Sequence, residues 1–236
     1  MPPDSFAQRA QLTELMDEPS SYEEFRACLR DLERVNRTVL GYRPTLRWLR
    51  QFAVPRPVPL HIVDVGSGGG DMLRRIEHWA QQRGFDVYLT GIDLNPHATR
   101  AAREFTKPSS RITFVTADAL NWHPACPADI VLSSLFTHHL ADAEIVRFLA
   151  WMEETARHGW FVNDLSRGRL SYHGFRLLAR LMRWHRFVQH DGPVSIQRSF
   201  RREDWQRYIA AAGLDPQTVR VQPAWPGRLC VARVKA

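Results

Sequence analysis

Cysteine is scarce: Cys28, Cys126 and Cys230 are the only three, scattered far apart in 236 residues. That scatter excludes a disulfide framework and offers no zinc-ligand spacing, so the three read as small, partly buried apolar side chains. No apolar run approaches the ~18–20 residues that span a bilayer. Met1 to Gln11 has no apolar core and reads as a frayed tail, not a signal peptide, which makes the cytoplasm the expected location. Ten histidines are present. None falls in a His-x-x-x-His or His-Glu-x-x-His pattern, so no metal site is expected.

What is there suits one α/β domain with a modest attachment. Hydrophobic residues make up 44% and charged residues 24% of the chain, ordinary values for a soluble globular protein. The net charge of +7 is carried largely by arginine. Such a balance suits nucleic acid or an anionic substrate, yet the arginines form no dense tract. The richest stretch, Arg167 to Arg186, alternates them with Leu, Phe and Trp at helical spacing, as a solvated basic helix face does.

The pattern opens helical. Ser20 and Ser21 precede Glu23 and Glu24, an N-cap signature, and apolar residues recur from Phe25 to Val39. Gly41 stops this helix, and Pro44 falls early in the next, around Thr45 to Phe52. Residues 54–59, Val-Pro-Arg-Pro-Val-Pro, form a stiff linker. It divides an N-terminal helical extension, residues 1–56, from a main domain, residues 57–236. Strand and helix then alternate. Strands are expected at Leu60–Val65, Val87–Ile92, Ile112–Val115, Ile130–Leu132 and Trp160–Val162. Helices are expected at Met72–Arg83, Pro96–Phe105 and Asp142–Ala156. This predicts a doubly wound α/β fold, a mostly parallel sheet with helices on both faces. A long aromatic-rich helix, Leu170 to Val188, interrupts the rhythm inside an insertion at about residues 168–192. A helix at Arg202–Ala212, ended by Gly213, and two strands near Thr218–Val221 and Leu229–Val234 complete the chain. The turn at Pro223–Gly227 makes the last pair an antiparallel hairpin.

The chemistry gathers at Asp64-Val65-Gly66-Ser67-Gly68-Gly69-Gly70, between an apolar strand and a helix. Glycines let the backbone turn sharply and let a ligand approach it, and the next helix offers free N–H groups. A dinucleotide fingerprint fits poorly, because Asp71 takes its last position and Asp64 would repel a pyrophosphate. The Gly-Lys-Ser/Thr of a phosphate loop is missing. The acids suit a ligand with positive groups and hydroxyls.

Asp64-x-Gly66-x-Gly68-x-Gly70 resembles the first motif of class I S-adenosylmethionine-dependent methyltransferases. Asp93 in Gly91-Ile92-Asp93-Leu94, Asp118 in Ala117-Asp118-Ala119, and Ala128-Asp129-Ile130-Val131-Leu132-Ser133 follow in that family's order. The resemblance covers about Leu60 to Asp164. It implies a Rossmann-like seven-stranded sheet and S-adenosyl-L-methionine as cofactor. It places Asp64 near the donor's ammonium group, with Gly66, Ser67, Gly68 and Gly70 forming the loop. Asp93 would take the ribose hydroxyls and Asp118 the adenine amino group. Leu94, Ala119 and Leu120 would flank the ring, and Ser133 or Ser134 would line the floor.

Methyl transfer needs acceptor and donor aligned, and an oxygen acceptor must lose a proton. His138 and His139 follow the fourth strand at the sheet's carboxyl end. One of them is the candidate base or acceptor-orienting group; the other reading is a loop histidine that caps a helix or touches the cofactor. Tyr172, His173 and Arg176 on the inserted helix are candidate acceptor contacts, because a helix there resembles the lid of small-molecule methyltransferases. The stretch His190-Asp191-Gly192-Pro193, with Ser195, Arg198 and Phe200, resembles bacterial members that act on phenols, pyrones or quinols. The implied partner is a small aromatic or polyketide-like acceptor methylated on a hydroxyl. C-methylation of a quinol-like ring stays open, because His-His-Leu recurs in quinone C-methylating enzymes, and so does methylation of RNA or protein. Asn-Pro-Pro-Tyr, typical of many base-methylating enzymes, is replaced by Ser133-Ser134-Leu135-Phe136, so no nucleic-acid partner is expected. A homodimer is left open, as is a degenerate binding module that keeps the fold without turnover.

Overall fold

The computed structural model describes residues 6–53, 58–184 and 186–235. Residues 54–57 of the expected linker, and with them the expected domain boundary, lie outside the described residues. Seven strands form one sheet in the order β3-β2-β1-β4-β5-β7-β6. They are β1 (Leu60–Val65), β2 (Val87–Asp93), β3 (Thr113–Thr116), β4 (Ala128–Ser134), β5 (Ala156–Leu165), β6 (Val219–Ala224) and β7 (Arg228–Val234). β1 pairs in parallel with β2 and β4. β7 runs antiparallel to both β5 and β6, the hairpin that the turn at Pro223–Gly227 implied.

Eight helices accompany the sheet among the described residues: α1 (Tyr22–Thr38), α2 (Arg43–Leu49), α3 (Asp71–Gln81), α4 (Pro96–Phe105), α5 (Asp142–Thr155), α6 (Arg169–Leu181), α7 (Arg186–Arg198) and α8 (Arg202–Ala211). β1 is buried along its whole length, which is why its sequence is an unbroken β-branched run with no alternation. Two apolar layers sandwich the sheet. One packs α5 and α8 on it through Phe148, Trp160 and Trp205; the other packs α2 and α3 through Leu49, Leu73 and Ile76. No helix among the described residues is long and apolar enough to cross a membrane.

The insertion differs from its expected form. The single helix from Leu170 to Val188 is two helices, α6 and α7, broken where Arg183 takes φ +50. α7 runs on to Arg198, so Gly192 and Pro193 sit inside a helix instead of ending one. The tail also differs. Phe6 is buried against Tyr172. Arg167 donates to the carbonyls of Phe6 and Ala7, and Arg9 donates to those of His138, Leu140 and Arg198. Residues 6–10 are therefore docked: their carbonyls supply acceptors that buried Arg167 needs, and Arg9 and the Ala10 N–H reach acceptors on the body of the protein.

Candidate active site

A cavity of about 660 Å³ opens at the carboxyl ends of β1, β2 and β4. It is roofed by α1, α6 and α7. The sheet's ends supply Asp64, Gly66, Ser67, Gly68, Asp93, Ser134, His138 and His139 to its wall. An open α/β sheet holds ligands in this place.

The glycine turn is built around Asp93. Gly68 N–H donates to Asp93 Oδ2 at 2.8 Å, and Asn95 N–H donates to Oδ1 at 2.9 Å. Gly66 and Gly70 have φ of +69° and +73°. A Cβ at Gly66 would lie 2.6 Å from the Phe136 ring, and one at Gly70 would lie 2.6 Å from Phe114. Both positions therefore require glycine twice over, for backbone sign and for room. Burial pushes the Asp93 carboxyl up, while the N–H groups of Asn95 and Gly68 and the nearby His139 work against that rise.

Asp64 is wholly buried, and its Oδ1 has no hydrogen-bond partner. Burial, then the charges of Asp71 and Asp93, holds its carboxyl well above the usual carboxylate range. A bare carboxylate oxygen on a cavity wall is costly unless something cationic comes to it. Ser134 Oγ, also on that wall, is buried without a partner as well. Ser133 Oγ shares that lack but lies off the cavity wall.

Beyond β4, His138 is buried and anchored by Asp164 at the end of β5. The ring Nδ1 lies 2.7 Å from Asp164 Oδ1, and His138 N–H donates to Oδ2 at 3.1 Å. Thr137 Oγ1 also donates to Oδ2, at 2.5 Å, and Leu165 N–H donates to Oδ1 at 2.7 Å. Burial opposes the charge on Asp164, but the His138 ring and these donors outweigh it and hold the carboxyl well below the usual range. His138 Nε2 is left pointing toward Glu14 Oε1, 3.7 Å away, while His139 Nε2 lies 3.8 Å from Glu14 Oε2. His139 Nδ1 faces Asp17 Oδ1 at 3.3 Å. Burial raises the Glu14 carboxyl, against the pull of His139, Arg198 and Ser195. The Asp17 carboxyl is lowered: burial opposes its charge, but His139 and Arg198 outweigh it.

The remaining expected site residues lie elsewhere. Gly70 caps α3 behind the turn. Asp118 is exposed and spends its oxygens locally, on Leu120 N–H and the Asn121 side chain. Ala119 is buried in the core with Leu120 packed on it, and Leu94 is 73% exposed; none of the four is on the cavity wall. On α6 the cavity face is Leu170, Ser171, Gly174, Phe175 and Leu178. Tyr172 and Arg176 face a second, smaller cavity with Arg180 and His190, and His173, which meets Tyr172 edge to face, is not on the wall of the first. Glu14, Asp17 and Asp164 had no assigned role in the sequence. An acid at the tip of the fifth strand could have been flagged as those on β1 and β2 were. Nothing local marks Glu14. Its arrival beside His138 and His139 brings ligand atoms of two buried residues and one partly buried residue within 4.8 Å of one another, where histidine spacing alone gave no such expectation.

Residues 62–159 match the family described as "Methyltransferase domain". A trans-aconitate 2-methyltransferase from Streptomyces avermitilis is 33% identical over 105 residues, covering 43% of this chain and 37% of that protein. The chain thus spans well under half the length of this curated relative. Among solved structures, a plantazolicin methyltransferase, BamL, in complex with a triazolic desmethylPZN analog and SAH superposes with a TM-score of 0.67 at 14% identity, covering 98% of this chain and 97% of that one. Human N-acetylserotonin methyltransferase in complex with SAM gives 0.61 at 18% identity, over 92% and 57%. At such identities the likeness is one of fold.

Proposed function

We propose that this protein is an S-adenosylmethionine-dependent methyltransferase that methylates a hydroxyl oxygen of a small aromatic or polyketide-like acceptor; the match of residues 62–159 to the methyltransferase-domain family and the likeness of fold support it. The observation that carries the reading is that one cavity joins the glycine turn, Asp64 and Asp93 to the His138–Asp164 pair.

The residues present fit the donor. The unpartnered oxygen of Asp64 suits an ammonium group. The Asp93 oxygens each take one backbone N–H and keep lone pairs for a pair of ribose hydroxyls. S-adenosylmethionine, when bound, supplies an electrophilic methyl group on a sulfonium. The chain's own part is to align, to exclude water and to manage one proton. Asp164 fixes the His138 ring through Nδ1 and leaves Nε2 toward Glu14, another residue of the cavity wall. His138 and His139 hold the acceptor oxygen there and draw off its proton.

The far wall is apolar: Phe25, Leu29, Leu32, Phe175, Leu178 and Ile196 line it. Such a wall suits a flat, neutral ring. It argues against a polycarboxylate of the kind the curated relatives are named for. Elsewhere around the cavity Glu14, Asp17, Asp64 and Asp93 outnumber the one lining guanidinium among the described residues, Arg228, and disfavour a polyanion. The test is turnover against a panel of phenols, hydroxypyrones and trans-aconitate with S-adenosylmethionine. Methylation of a phenol or pyrone, and none of trans-aconitate, is expected. Turnover of trans-aconitate alone would overturn the acceptor assignment.

A further inference from the structure

We propose that Glu14, His138 and His139 form a binding site for one first-row divalent cation beside the donor subsite. The inference deepens the reading above and rests on it for the ion's role, though not for its binding.

Three observations carry it. First, the gaps are wrong for hydrogen bonds and near right for a shared ligand. The two Nε2 atoms lie 3.7 and 3.8 Å from the two oxygens of one carboxylate, and among the described residues no hydrogen bond reaches either nitrogen. An N–H···O bond would close to about 2.9 Å. Two ligands on a tetrahedral ion with bonds near 2.0–2.1 Å stand about 3.3 Å apart. Each contact needs to draw in by only a few tenths of an ångström.

Second, the supporting groups are those that prepare histidine for a metal. Asp164 holds His138 at Nδ1, Asp17 faces His139 at Nδ1, and Ser195 Oγ donates to Glu14 Oε1 at 2.9 Å. A carboxylate behind each imidazole fixes the tautomer whose Nε2 lone pair is free, and it makes that nitrogen a better ligand.

Third, the formal charge invites a cation. Three carboxylates, Glu14, Asp17 and Asp164, meet two guanidiniums: Arg198, whose Nη1 lies 3.4 Å from Glu14 Oε1 and 3.0 Å from Asp17 Oδ2, and buried Arg228, whose charge acts on Asp164. With both imidazoles neutral the group keeps a net negative charge.

Two imidazoles and one carboxylate suit zinc, manganese or ferrous iron better than magnesium or calcium, which favour oxygen ligands. Three protein ligands leave positions open toward the cavity. There an acceptor hydroxyl could ligate the ion and lose its proton to solvent; with the ion bound, His138 and His139 would serve as its ligands, and the ion would take over the proton-withdrawing role given to them above.

The experiment is calorimetric titration of the metal-stripped 236-residue chain with Zn²⁺ and with Mn²⁺, alongside the visible spectrum of the Co²⁺ complex. One saturable site per chain is expected for at least one of these ions. His139→Gln and Glu14→Gln should each weaken it at least about tenfold, and Asp17→Asn should cost about tenfold through His139. His139 is only partly buried, so His139→Gln decides alone if Glu14→Gln fails to fold. No saturable site for any of the three ions, or a site whose affinity His139→Gln leaves unchanged, overturns the proposal. A parallel titration with S-adenosylhomocysteine separates the two claims: donor binding without metal sinks only the ion, and metal without donor binding sinks only the methyl-transfer reading.

Discussion

Replacing Asp164 by Asn tests the histidine site with little change of shape. The carboxylate has four donors, two per oxygen: Thr137 Oγ1 and His138 N–H on Oδ2, the His138 ring and Leu165 N–H on Oδ1. The Thr137 hydroxyl can rotate and the His138 ring can change tautomer, so those two adapt. The two backbone N–H groups cannot. An amide offers a single oxygen, so in either orientation one N–H is left facing an NH₂ group in a buried place. That orphan costs about 1–3 kcal/mol. The ring also loses the anion that steadies it, and turnover should fall about 10²- to 10⁴-fold. Affinity for S-adenosylhomocysteine should stay within a few-fold, because Asp164 is absent from the cavity wall. The stability cost has a signature in pH. The folded-state value of Asp164 is depressed, so its stabilising contribution is present above the unfolded value of ~3.9 and is lost as pH falls toward the folded one. The gap between wild type and variant in urea melts should therefore narrow on acidification below about pH 4. A variant with undiminished kcat, or one that loses donor binding while folded, would refute this reasoning.

Asp64 carries the opposite sign. Its folded-state value is raised by burial and by Asp71 and Asp93, so it costs stability once pH passes the unfolded value of ~3.9, up to its folded titration. Asp64→Asn should melt higher than wild type at neutral pH yet bind the donor more weakly. Donor binding to wild type should release a proton and tighten as pH rises, read by calorimetry in buffers of different ionisation enthalpy. Gly66→Ala should cost about 2–5 kcal/mol, from positive φ and from overpacking on Phe136. Phe136→Ala in the same chain should recover only the packing share in urea melts. Phe175→Ala should raise the acceptor KM with little effect on donor affinity, measured by steady-state kinetics.

Strand β1 and helix α4 were legible to the residue, because a β-branched run ending in a glycine turn, and a Pro opening after Asn95, are local signals. β5 was legible only at Trp160–Val162. Near its start Arg157 and His158 are exposed and polar, and they lie at an irregularity in the pairing with β4, between Ala156 and Gly159, so no strand period marks them. The break at Arg183 carries neither Gly nor Pro, so nothing in the periodicity marked it. On α6 the aromatic and basic residues drew attention, yet small Gly174 and Ser171 leave the room that makes the other face the cavity's. Glu14 was hidden for a simpler reason. It reaches His138 because buried Arg167 and partly buried Arg198 tie the N-terminal segment down, and such tertiary ties have no period. The acids of β1 and β2, by contrast, sit where strand ends must place them.

Calorimetric titration of the protein with S-adenosylhomocysteine tests the central claim most directly. One molecule should bind per chain, and Asp93→Ala should weaken it at least about tenfold, since that carboxylate both holds the turn and faces the ligand. Absence of saturable heat with folded wild-type protein, or affinity untouched by Asp93→Ala, would contradict the account.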